Sequence, residues 1–164
     1  MQDKQDSKDQ QPKSRDDVAL LMLQHFLEQW RKERPDIPPR AVAVGQSARD
    51  VCHRLVSGSD LTVAWCPDLW NMSHHASASP IYQLVVCLDE FQRLNFDDAR
   101  RAGLGLRARV VPGGLLVVGV PGMRKTSPQD VDYYDFAKLE DAVGVTLNPV
   151  FEAPRGCLLG WWRE

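Results

Sequence analysis

Residues 115–120 read LLVVGV, a run of apolar residues with no polar face. Such a run suits a strand buried on both sides, which means a parallel sheet covered by helices above and below. Pro112-Gly113-Gly114 precede it and Pro121-Gly122 follow, so both ends are punctuated. Proline stops a helix and glycine permits positive φ. The Pro-Gly-Gly stretch therefore reads as a helix stop and a tight reversal into the strand.

The rest of the chain alternates helix and strand around this element. Val18, Leu20, Leu21, Met22, Leu23, Phe26, Leu27 and Trp30 recur at helical spacing, with Asp16 or Asp17 as N-cap and a stop at Pro35. AVAVG (41–45) reads as a strand and SARDVCHRLV (47–56) as a helix, with Ser47 and Asp50 spaced like a capping box. SGSD (57–60) reads as a turn, LTVAW (61–65) and YQLVVCL (82–88) as strands, and 67–80 leave room for one short helical turn. Residues 89–110 read as a helix in two pieces broken near Asn95, and FAKLEDAV (136–143) as a helix stopped by Gly144. Strands near 147–153 and 157–163 flank Ala-Pro-Arg-Gly, too short a link for a crossover, so they pair antiparallel.

The pattern predicts an α/β fold: a doubly wound, mostly parallel sheet with helices on both faces and a C-terminal antiparallel β-hairpin. Residues 1–17, almost devoid of apolar side chains, are expected to be a disordered tail, and 18–164 a single domain. A chain of 164 residues, 43% hydrophobic, can bury a sizeable core. A net charge of −2 with no basic stripe argues against nucleic acid. No apolar run approaches the ~20 residues that span a bilayer, so neither a membrane partner nor a leader is expected, and the location expected is cytoplasmic. Cys52, Cys66, Cys87 and Cys157 are scattered beside apolar runs and read as reduced core residues. His74 and His75 are adjacent and diverge on either kind of element, so they read as surface loop residues, and no metal is expected.

From residue 82 onward the chain resembles the C-terminal half of class I S-adenosylmethionine-dependent methyltransferases. The resemblance rests on YQLVVCLDEFQRL, then DDARRAGLGLRARVVPGG, then LLVVGVP, with FAKLEDAVG and the closing NPVFEAPRGCLLGWWRE hairpin following in the family's order. It implies a methyltransferase-like sheet. In residues 41–81 the text departs from that pattern. The family's first strand ends in acidic-x-Gly-x-Gly-x-Gly, where backbone approaches the cofactor. Here Ala43 stands for the acid, Gly45 is kept, and Ser47 and Arg49 replace the later glycines. The family's ribose-binding acid falls at Cys66, with Asp68 two positions on, and Gln83 replaces an aspartate that often opens the fourth strand. Too few residues remain between Pro67 and Ile81 for the family's third strand, so LTVAW is expected at a bare sheet edge.

The resemblance implies contacts to S-adenosylmethionine at Val44, Gly45, Gln46, Ser47, Cys66 and Leu88, if that cofactor is bound at all. Asp89 and Glu90 follow a parallel strand at the edge where such sheets place ligands, so they are the candidates for a catalytic base. Asp89 also suits a helix cap. Tyr133, Tyr134 and Asp135 read as a surface loop, and Trp161 and Trp162 as anchors facing opposite sides of the last strand. Gly45-x-Ser47 at a strand-to-helix turn also has the form of a weak anion site for some other nucleotide.

Two functions are expected in competition. In the first, a methyltransferase-like protein has lost its cofactor and serves as a structural or regulatory partner. It would form a homodimer, or bind another protein, through the LTVAW edge strand, the N-terminal helix, or both. In the second, a small active methyltransferase modifies a small molecule with S-adenosylmethionine as cofactor.

Overall fold

In the computed structural model, β1 (Arg40–Val44), β2 (Thr62–Cys66), β3 (Tyr82–Leu88), β4 (Val110–Val120), β5 (Asn148–Glu152) and β6 (Leu158–Arg163) form one sheet in the order β2-β1-β3-β4-β6-β5. Residues 14–56, 60–74, 80–121, 128–152 and 158–164 are described, except for the side chains of 73, 74, 151 and 152. Residues 1–13, most of the SGSD turn, His75, Cys157 and the Ala153-Pro154-Arg155-Gly156 turn lie outside them. β1 through β4 pair parallel, whereas β6 runs antiparallel to both β4 and β5, as the short last connection requires.

Helices cover both faces. On one lie α1 (Arg15–Glu33) and α2 (Gln46–Val56), packed on Ala41, Ala43, Leu84, Val86, Leu115, Val117 and Leu159. On the other lie α3 (Leu69–His74), α4 (Phe96–Ala108) and α5 (Phe136–Val143), packed on Val42, Val44, Val85, Cys87, Leu116 and Val118. Successive strand residues thus feed two separate cores, which is why β3 and β4 have no polar face. Trp161 joins the first core and Trp162 the second, on opposite sides of β6 as expected. No helix among the described residues is long and apolar enough to cross a membrane.

Three local expectations are corrected and one is met. α1 begins at Arg15 and is capped by Ser14, whose hydroxyl accepts from the Asp17 N–H at 3.1 Å, so 15–17 belong to the helix rather than to a tail. α2 begins at Gln46, which places Ser47 inside the helix and not at its cap. The break expected near Asn95 is present: the piece before it is a single 3-10 turn, Phe91–Arg93, and Asn95 caps α4. Pro-Gly-Gly does not stop a helix: α4 ends at Ala108, and β4 is already under way at Val110. Tyr82 pairs with Val110 and Leu84 with Leu115, so 111–114 form a bulge inside the ladder. Gly113 has φ +79° there, a conformation glycine adopts without strain.

Among the described residues β2 is a sheet edge, paired with β1 alone, as expected from the shortened segment between Pro67 and Ile81. α1 does not cover it. The apolar stripe of α1 (Ala19, Leu20, Leu23, Phe26, Leu27, Trp30) is spent on the sheet face.

Candidate functional site

The strand order reverses between β1 and β3: the chain leaves β1 toward β2, then returns to build β3 and β4 on the other side. A crevice opens at the C-terminal ends of two strands wherever this happens, and open α/β sheets bind their ligands in it. Gly45 follows β1 at this place, and Asp89 and Glu90 follow β3.

All three are engaged with the chain itself. Gly45 has φ +88° and donates its N–H to the Cys66 carbonyl at 2.9 Å. Asp89 is the single non-glycine residue with positive φ among those described, at 63°, and its N–H donates to the Gly119 carbonyl at 2.9 Å. Aspartate tolerates this conformation better than most residues. Its Oδ2 accepts from the Ser47 hydroxyl at 2.9 Å and from the Arg15 guanidinium at 2.7 Å, and a second Arg15 nitrogen meets Oδ1. Asp89 therefore caps no helix: it joins the starts of α1 and α2 to the end of β3.

Glu90 sits deeper, 2% exposed. A Cβ built on Gly45 would lie 2.4 Å from its Oε1 and 2.6 Å from its Cγ, so the glycine notch is occupied by this side chain. Arg93 donates to Oε1 at 3.1 Å, and the Leu69 N–H at the start of α3 donates to the same carboxyl. Burial raises its pKa to about 7, offset in part by the positive charge of Arg93 and reinforced by Asp68 and Asp89. The group is therefore able to take or release a proton near neutrality. Beyond it opens a cavity of about 370 Å³, lined by Asp68, Trp70, Glu90, Arg93, Leu94 and Gln129 among others.

The other residues expected at a cofactor are also accounted for. The Val44 and Leu88 side chains are buried in opposite cores. Gln46 turns along α2 to Asp50, 2.7 Å away. The Cys66 thiol donates to the Asp68 carbonyl at 3.2 Å, and burial pushes its pKa up. Arg49 lies on the exposed surface, its guanidinium 4.3 Å over the Trp65 ring. Gln83 is structural, its Oε1 accepting from the Arg40 N–H at 2.6 Å.

Tyr133, Tyr134 and Asp135 separate in role. Tyr134 is wholly buried edge-on against Phe91, which corrects the expectation of a surface loop for that residue. Asp135 caps α5 by accepting from the Lys138 N–H at 2.8 Å, and Tyr133 is exposed. His74 ends α3, with no side chain described. Arg15 is the contributor that sequence reading missed. It belongs to a polar segment, and nothing local marks an arginine that becomes buried 74 positions away from its partner.

No protein-family model and no curated protein matches the chain. Solved structures do. The N-methyltransferase NodS from Bradyrhizobium japonicum WM9, in complex with S-adenosyl-L-homocysteine, aligns at TM-score 0.51 and 15% identity over 95% of this chain and 89% of that one. The 16S rRNA (adenine(1408)-N(1))-methyltransferase from Catenulisporales acidiphilia aligns at TM-score 0.53 and 14% identity, covering 82% and 88%. The CurJ carbon methyltransferase aligns at TM-score 0.61 and 9% identity over 88% of this chain, which spans about half (53%) of it. The fold is that of the class I S-adenosylmethionine-dependent methyltransferases.

Proposed function

We propose that this chain is a methyltransferase-like protein whose cofactor crevice is closed by its own side chains and which acts as a structural or regulatory partner. The observation that carries this reading is Glu90 seated against Gly45. A carboxyl within van der Waals overlap of any Cβ at that position leaves no path for a ligand along the glycine backbone. Arg15, Ser47 and Asp89 satisfy one another beside it, so a competing anion would have to displace an ion pair already made. The test is calorimetric titration with S-adenosylmethionine and S-adenosylhomocysteine. The reading expects no heat for the wild type at millimolar ligand, and micromolar binding would overturn it.

The surface offered to a partner is β2. Thr62 N–H donates to the Pro39 carbonyl and the Cys66 carbonyl accepts from Gly45, so 62, 64 and 66 face β1. The N–H and C=O groups of Val63 and Trp65 therefore point outward. A second copy laid antiparallel about Ala64 would set Val63 against the other copy's Trp65 as hydrogen-bonded pairs, joining an aromatic to a β-branched side chain. The opposite edge, β5, carries Pro149, which blunts pairing. A homodimer in sedimentation that Trp65→Pro, which removes an outward N–H and leaves the β1 ladder intact, converts to monomer supports this arrangement. A wild-type monomer at micromolar concentration removes it and leaves a different protein as the edge's partner.

One observation favours the competing reading, a small active methyltransferase. The cavity beside Glu90 is of ligand size, and a carboxyl titrating near 7 has the acidity of a general base. The same titration separates the two.

A further inference from the structure

At the other end of the strands, remote from Glu90, α1 and the C-terminal hairpin leave a groove of about 310 Å³. The ladder places it: Leu115 pairs with Arg163 there, whereas Val120 pairs with Leu158 at the crevice end. Met22, Val150 and Trp161 line it beside the almost wholly buried Phe26 and Leu115, and His25 and Gln29 line it as well. Val150 is 38% exposed on β5. Arg163 stands at the rim. Its guanidinium lies 5.8 Å from the Phe26 ring centre, and its ion pair with Glu33 is long, at 3.9 Å.

We propose that this groove binds a small aromatic monocarboxylate. Trp161, partly exposed, presents aromatic surface to a flat ring, and the Nη end of the Arg163 guanidinium, whose Nε donates to the Gly113 carbonyl at 3.3 Å, matches a carboxylate in two-point contact. Glu33, 3.9 Å from the same guanidinium, offsets part of its charge, so the rim favours one negative charge at most. The volume stands at the lower limit of ordinary ligand pockets, about 300 Å³, which suits a single ring with a short acidic arm. No residue of the Gly45–Glu90 crevice takes part, so this site stands or falls separately from the proposal above.

The test is titration of the full chain with 3-phenylpropionate and with its neutral isostere 3-phenylpropanol, read by calorimetry and by tryptophan emission. The carboxylate should bind at least tenfold more tightly than the alcohol. Arg163→Gln should erase that difference, and Val150→Glu, at an exposed strand position, should block both while leaving circular dichroism unchanged. Absence of binding at millimolar carboxylate, equal binding of the alcohol, or an undiminished preference in Arg163→Gln would each overturn the proposal. So would self-association of the wild type that Val150→Glu abolishes, because the groove would then belong to a second copy.

Discussion

Arg15 and Asp89, 74 positions apart, meet in a two-pronged ion pair that fastens the first turn of α1 to the residue after β3. The arginine side chain is 6% exposed and the aspartate 23%, so the pair is mostly withdrawn from water. Removing one member of a buried pair costs about 3–5 kcal/mol, and partial solvation of Asp89 brings the expectation for Arg15→Met to ~2–3 kcal/mol. For a domain of this size that is a fall in Tm of roughly 5–10 °C. Asp89→Asn should cost less than Asp89→Ala. Asparagine tolerates the positive φ and keeps an acceptor for Ser47, whereas alanine adds ~1 kcal/mol or more of backbone strain. Thermal and urea denaturation of the three variants gives the order, and an equal loss for Asn and Ala would refute the role assigned to the backbone.

That pair also marks the limit of what the residues reveal in order. The alternation of strands and helices, the edge position of β2 and the terminal hairpin were legible, because apolar runs, breakers and connection lengths are local signals. Ser14-Arg15 reads as part of a polar tail, since burial of an arginine depends on a partner that only the fold supplies. Pro112-Gly113-Gly114 carries the same letters whether it forms a corner or a bulge. What decides is the register of Tyr82 with Val110, which no local pattern contains. The departures around Gly45 were likewise visible, but not the identity of the group that fills the notch. Glu90 read as a candidate base at the ligand-binding end of the sheet, and its burial to 2% exposure had no local signal.

Glu90 should make stability fall as pH rises toward neutrality. Its pKa is about 7 in the folded chain against an ordinary 4.5, so between these values the folded state holds more protons than the unfolded one. Stability from this group is full below about 4.5, declines as pH climbs to 7 and is level above it. The span corresponds to a limit of the order of 3 kcal/mol, reduced by whatever water enters when the group ionises. Glu90→Gln removes the titration, so its stability relative to the wild type should improve steadily from pH 5 to pH 7.5. Urea midpoints at the two pH values measure this, and a difference between wild type and variant that does not change with pH would contradict it.

Gly45→Ala tests whether the notch is kept for Glu90. Alanine at φ +88° costs ~1–2 kcal/mol whatever its neighbours, and overlap with the Glu90 carboxyl adds a further penalty of ~1–3 kcal/mol. Only the second part depends on Glu90. In a double-mutant cycle with Glu90→Ala, the alanine at 45 should therefore cost at least ~1 kcal/mol less than it does in the wild type. Strict additivity would mean that the two residues do not compete for the same space.

Two glycines of α4, Gly103 and Gly105, should respond to alanine in opposite senses. Both lie inside the helix, where alanine is favoured over glycine by ~1 kcal/mol. At Gly103 a Cβ would stand 2.1 Å from the Ala142 carbonyl oxygen, so α4 and α5 could not keep their approach without one of them moving. Backbone oxygen has no rotamer with which to yield, and the helix preference is overwhelmed: Gly103→Ala should lose ~1–3 kcal/mol net. At Gly105 the nearest atom to such a Cβ is the Arg109 Nη1 at 3.3 Å, the end of a flexible side chain that donates to the Gly105 carbonyl at 2.8 Å. A few tenths of an ångström of give there suffices, and Gly105→Ala should be neutral or gain up to ~1 kcal/mol. Urea denaturation of both variants checks the contrast. A destabilised Gly105→Ala would show that the Arg109 contact, which also reaches the Met72 carbonyl at 3.0 Å and ties α3 to α4, is less yielding than its length implies.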